Sequence, residues 1–331
     1  MNENEIDDLI LEKELGKNYI GTVFLSSIKG DKTKKFVTKI YSRAEIEGTI
    51  LMDFLRNEID ILQKLDHPNI LKFHSFKESD QNFYLSFEFC NGDYLENVFD
   101  KYKEKYGKPF SEEIVQYLMR QIIDAFKYIH SKKVIHRDIK LENIFINFET
   151  EKDKEELNMM KATVKIEGFN FSCYINDSEK VYDELGSPLY MDPIILKKKI
   201  INNEETRKLG YDQKADIWSL GNICYEMLVG KYAFDSEDLD ELSQKVEEGT
   251  YTIPTSLSHE VVSFINAMLQ YDSQRRLSID ELSKHPFLIK EVQDFHPIDL
   301  KKVSKNVDES GLKINTKNNK SIWEIFNADE E

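Results

Sequence analysis

The 331-residue chain carries 45 basic and 61 acidic residues, a formal charge of −16. That balance argues against nucleic acid or an anionic membrane as the main partner, since both want a basic face. Its three cysteines, Cys90, Cys173 and Cys224, lie far apart without a CxxC spacing, so neither a disulfide framework nor a zinc cage is expected. No run approaches the roughly 18 apolar residues of a membrane helix, and the acidic start, MNENEIDDL, lacks signal-peptide character; a cytoplasmic protein without membrane insertion is expected.

Residues 1–8 are polar and are expected to be disordered. From Leu11 to about Glu88, short segments rich in β-branched and aromatic residues alternate with Gly-, Asp- or Lys-rich turns. This pattern predicts strands over 19–28, 35–42, 70–76 and 82–89. One helix interrupts them, LMDFLRNEIDILQKL, whose apolar stripe of Leu51, Leu55, Leu62 and Leu65 also carries Glu58. A carboxylate on a buried stripe is costly unless a cation meets it.

From Tyr94 onward helical patterns dominate. SEEIVQYLMRQIIDAFKYIH opens on Ser111 as N-cap, with two acids in its first turn, where the helix dipole favours them. DIWSLGNICYEMLVG is apolar nearly all round, hence buried, and closes at Gly230. EVVSFINAMLQ and SIDELSKHPFL follow. Two charged stretches, 147–163 and 197–210, exceed what a compact connection needs and read as solvated insertions. The organisation is α+β: a strand-rich small lobe over 9–90, a helical large lobe over 91–290, and a polar tail over 291–331.

In the large lobe, HRDIKLEN presents His136, Arg137, Asp138, Lys140 and Asn143 at fixed spacing. It resembles the catalytic loop of eukaryotic protein kinases in its Ser/Thr form. GSPLYM, KADIWSLG and DSQRRLSIDELSKHPFL follow in the order that family uses, and their wording leans toward its autophagy-initiating branch. The resemblance spans about residues 9–290 and implies a bilobal fold, an ATP site and a protein substrate or partner in signalling. By the same resemblance Asp138 accepts the substrate hydroxyl proton, Lys140 steadies the transferring phosphate and Asn143 offers its carbonyl to a metal. Lys39, in FVTKI, would hold the α- and β-phosphates, with Glu58 as its partner. Gly16, Gly21 and Val23 fit the phosphate-covering hairpin, where glycine lets the backbone come close to phosphate. Asn18 replaces the second glycine there. Glu88 to Cys90 would form the hinge whose backbone meets adenine, behind a bulky Phe87.

Departures from the pattern bear on function. In VKIEGFNFS, Gly168-Phe169-Asn170 stands where the family has Asp-Phe-Gly, so the expected Mg²⁺ ligand is missing. If that contact contributes about 4 kcal/mol, its loss slows transfer about a thousandfold. Glu167 has three readings: it substitutes as ligand for a displaced metal, pairs with Lys39, or keeps ATP out. MDPII puts Asp192 and Ile194 in place of the family's Ala and Glu, leaving Arg276 to find water or another acid, with Asp192 the candidate. Asp183, before GSP, occupies the place of a phosphorylatable Thr and could oppose Arg137 as a fixed charge. The resemblance thus implies a domain in which ATP binds with Mg²⁺ weak or not required and transfer is absent or strongly reduced. The alternative is an atypical working Ser/Thr kinase with metal held by Asn143 and Glu167. Trp323 and Phe326, one helical turn apart in SIWEIF, are expected to dock the tail in cis on the small lobe.

Overall fold

The computed structural model describes residues 5–18, 21–298, 307, 308 and 310–317. A six-stranded antiparallel sheet forms the small lobe from β1 (Glu5–Ile6), β2 (Leu9–Asn18), β3 (Gly21–Ile28), β4 (Asp31–Ser42), β5 (Phe73–Glu78) and β6 (Asn82–Glu88), in the order β1-β2-β3-β4-β6-β5. Glu5 and Ile6 pair with Ile10 and Leu9, so the expected disorder of residues 1–8 does not hold at these two positions. The edge strand β2 offers them free backbone groups to bond.

Helix α1 (Ile50–Leu62) begins at Thr49, whose hydroxyl accepts from Leu51 N. Its face buries Leu55 and Leu62, and Glu58 with them at 6% exposure, as the stripe requires. The chain leaves the sheet after Glu88 and enters α2 (Leu95–Tyr106).

The core of the large lobe is α3 (Glu112–Ser131) packed on α5 (Lys214–Val229). Ser111 Oγ accepts from Ile114 N at 3.4 Å, and Gly230 closes α5 at φ +81°, a left-handed conformation that glycine adopts without strain. Helix α7 (His259–Met268) covers α5 on its other side.

Both charged stretches are ordered. The first holds the end of β7 (Ile144–Phe148), a short helix over Glu151–Glu156 and the start of β8 (Ala162–Ile166). Lys105 and Tyr106 donate to the carbonyls of that helix, and Met159 is buried. The second carries the end of α4 (Pro193–Ile201), where buried Lys198 donates to Tyr182 O at 2.7 Å and Leu209 O at 2.9 Å. Surface charge hid these contacts from a reading of composition, because lysine alone does not show where its ammonium goes.

Part of the tail also belongs to the fold. After α6 (Leu239–Glu248) and β9 (Thr250–Ile253), β10 (Val307–Asp308) and β11 (Gly311–Asn315) complete an antiparallel sheet in the order β9-β11-β10, burying Leu312 and Ile314. This segment joins the large lobe. Trp323 and Phe326, expected to reach the small lobe, lie outside the described residues.

Candidate active site

Between the lobes lies a cavity of about 550 Å³. It brings together Lys39 from β4, Glu58 from α1, Asp138, Lys140 and Asn143 from the loop before β7, and Glu167 and Gly168 from the end of β8. Gly16, Gly21, Val23, Glu88 and Cys90 do not line it.

The loop carrying Asp138 is pinned from below. Asp216, buried at the start of α5, accepts the backbone N–H of His136 at 3.0 Å and of Arg137 at 2.9 Å, and meets His130 Nε2 at 2.9 Å. These bonds hold Arg137 in a left-handed conformation at φ +70°. His136 Nε2 meets Glu167 O at 2.9 Å, tying the loop to the end of β8. Asp138 accepts from Ser187 Oγ at 2.8 Å and from Asn143 Nδ2 at 3.2 Å. Lys140 Nζ lies 3.6 Å from Glu142.

Lys39 does not pair with Glu58. Its ammonium donates to Glu167 Oε2 at 2.9 Å, a corrected partner for a lysine whose side chain is 16% exposed. Burial opposes the Lys39 charge, but Glu167, two tyrosines and Glu58 together hold its pKa well above the ordinary value. Among the described residues Glu58 makes no ion pair, and burial pushes its carboxyl up to about 7 against the opposing pull of Lys39. Tyr94, at the entry to α2, presses edge-on against Phe145 at 5.1 Å, and its phenol is raised by burial and by Glu167. Tyr94, Tyr41 and Phe54 line the cavity without any motif to announce them; the only sign in the sequence is aromatic density around the hinge and α1.

The family's metal does not fit this donor set. Gly168 supplies no side-chain oxygen, and Glu167, the substitute, is engaged by Lys39. Asn143 donates Nδ2 to Asp138 O at 2.7 Å, which leaves its carbonyl as a single neutral oxygen for a metal. Among the described residues no three His, Cys, Asp or Glu converge on a metal position. Mg²⁺ wants near-octahedral oxygen ligation, and with Gly168 bare and Glu167 engaged the end of β8 contributes no free carboxylate to it.

In the β2–β3 hairpin, a Cβ on Gly21 would collide with Ile40 O, whereas one on Gly16 would meet open space. Packing on β4 therefore already demands glycine at 21, without appeal to phosphate. At the hinge, Glu88 accepts from Lys165 Nζ at 2.7 Å and Lys72 N at 2.9 Å, so its side chain braces the strand ends. Phe87 is buried behind it, 5.2 Å from Lys39 Nζ.

The substrate-facing segment is held at two points. Arg137 Nη1 donates to Asp183 Oδ2 at 2.7 Å, placing the fixed charge where it was expected. Arg276, fully buried, pairs with Asp192, which also caps α4 by accepting from Ile194 N at 2.7 Å. The acid missing at Ile194 is replaced from two residues upstream, by the candidate expected.

Comparison with known proteins agrees with this geometry. A family model described as the protein kinase domain matches residues 9–288. The chain belongs to the protein kinase family. Among similar proteins, a probable myosin light chain kinase of Dictyostelium discoideum is 30% identical, over 87% of this chain and 85% of the relative. An Aurora kinase of the same organism is 31% identical over 86% and 67%, and its serine/threonine-protein kinase atg1 is 30% identical over 86% and 39%. Such even identities single out no branch. The kinase domain thus has the family's bilobal fold, and no described helix is long and apolar enough to cross a membrane.

Proposed function

We propose that this kinase domain is a pseudokinase: a cytoplasmic scaffold or allosteric regulator in signalling that acts through a protein partner, with phosphoryl transfer absent or strongly reduced. The observation that carries this reading is the Lys39–Glu167 pair beside Gly168. Transfer depends on positioning and on neutralising phosphate charge. Here the lysine that would meet phosphate is drawn to Glu167 instead of Glu58, and position 168 has no side-chain oxygen for a metal. Nucleotide binding is then weak and independent of Mg²⁺, with the hinge at Glu88–Cys90 holding the base.

A second reading, an atypical working Ser/Thr kinase, draws on Asp138 and Asn143 standing together at 3.2 Å with Ser187 in reach. It requires Glu167 to leave Lys39 and turn to a metal. Thermal shift with ATP, with and without Mg²⁺, and phosphate transfer to protein decide between them. The pseudokinase reading expects little or no shift and no dependence on metal. Mg²⁺-dependent transfer that Asp138→Asn abolishes would overturn it.

A further inference from the structure

Glu58 is a carboxylate that feels Lys39 but forms no ion pair among the described residues. It is 6% exposed and faces the cavity, yet none of the described residues donates to it or pairs with it. Each of the other charged groups lining the space has a partner, though Glu142 Oε2 accepts no hydrogen bond. Glu167 holds Lys39 at 2.9 Å, Glu142 lies 3.6 Å from Lys140, and Asp138 takes hydrogen bonds from Ser187 and Asn143. The lining therefore carries four carboxylates against two ammoniums. Such a wall repels a polyphosphate and leaves two carboxylates without a cation, Asp138, which neutral donors meet, and Glu58, which nothing described meets.

Two features narrow what cation can meet Glu58. A bare divalent ion needs several converging oxygens, and the described residues present no such cluster. The remaining wall is apolar and aromatic: Leu51 and Leu55 on the α1 side, with Phe54, Tyr41 and Tyr94 around them. Aromatic faces attract ammonium groups, and about 550 Å³ lies within the usual range for small-molecule sites. We propose that the cavity is a binding site for a small organic cation, a primary amine on an apolar or aromatic body, anchored by Glu58. This rests on the reading that the cavity is not a working metal–nucleotide centre.

The test uses the full chain without nucleotide or metal. Tyramine and 4-phenylbutylamine are titrated calorimetrically beside their neutral counterparts, tyrosol and 4-phenylbutanol. The amines are expected to bind about tenfold tighter than the alcohols, and Glu58→Gln is expected to reduce that preference to within about threefold. Should Glu58→Gln not fold, the wild-type ratio, together with amine-induced methyl shifts at Leu51 and Leu55, decides instead. Equal binding of amine and alcohol, no amine binding, or a preference that survives in Glu58→Gln overturns the proposal. Loss of amine selectivity while transfer stays undetectable removes only this inference; Mg²⁺-dependent transfer removes the functional reading itself.

Discussion

Lys39 donates to Glu167, 128 positions away along the chain, while Glu58, on the buried face of α1, is left without an ion pair. Two acids compete for one ammonium, and the one next to Gly168 holds it. That choice separates this domain from the arrangement its sequence resembles, and the first three predictions concern its consequences.

Removing the competitor should return Lys39 to phosphate. With Glu167→Ala, nucleotide is expected to raise the melting temperature by several degrees where the wild type shows little change. The variant itself should lose about 1–2 kcal/mol, because Glu58 takes over part of the pairing. A nucleotide response equal to that of the wild type would show that Glu167 is not the obstacle.

Restoring the missing ligand should not suffice by itself. Gly168 lies at φ +82°, and a Cβ there would come within 2.6–2.8 Å of the Asn143 side chain. Asp tolerates left-handed backbone at a cost of about 1–2 kcal/mol, and Asn143 can swing aside. Lys39 would still be held by Glu167. Gly168→Asp is therefore expected to give no Mg²⁺-dependent shift with ATP, whereas Glu167→Ala with Gly168→Asp gives one. Calorimetric titration of the four forms checks the order; metal dependence in the single variant contradicts it.

The buried acid on α1 predicts a pH profile. The folded pKa of Glu58, about 7, lies above its unfolded value, so the folded state holds the extra proton between roughly pH 4.5 and 7. Stability should fall as pH rises through that window, by about 3 kcal/mol from this group, and stay low above it. Glu226, also pushed up to about 7 by burial, acts in the same window. Urea midpoints measured at about pH 5 and about pH 8 should differ less in Glu58→Gln than in the wild type. An unchanged difference would mean that Glu58 titrates normally.

A fourth prediction concerns the large lobe. Arg276 and Asp192 are both essentially sealed from solvent, and the guanidinium also donates to Gln270 O at 2.7 Å and Lys214 O at 2.8 Å. Asp192→Ala leaves that cation buried and strips α4 of its cap, and should cost about 3–5 kcal/mol. Chemical denaturation measures it directly. A loss below about 1 kcal/mol would mean that the backbone carbonyls alone satisfy Arg276.

The sequence by itself determined the bilobal fold, the loop from His136 to Asn143, the cap at Ser111, the stop at Gly230, and the burial of Glu58 with the leucines of α1. The cap, the stop and the buried stripe follow from spacing and periodicity, which are written into neighbouring residues, whereas the bilobal fold and the loop rest on the resemblance to protein kinases. It also named candidate partners for three charges: Lys39 for Glu58, Asp192 for Arg276 and Asp183 for Arg137. Only the tertiary structure decided that Asp192 and Asp183 meet the last two, that Glu167 rather than Glu58 takes Lys39, and that Gly21 answers to Ile40 O. The same holds for the seat of Lys198 and for the pairing of β11 with β9. The reason is physical. A side chain's partner is set by distance and burial among groups remote in sequence, and a reordering of a few ångströms changes a charge's energy more than any local pattern records.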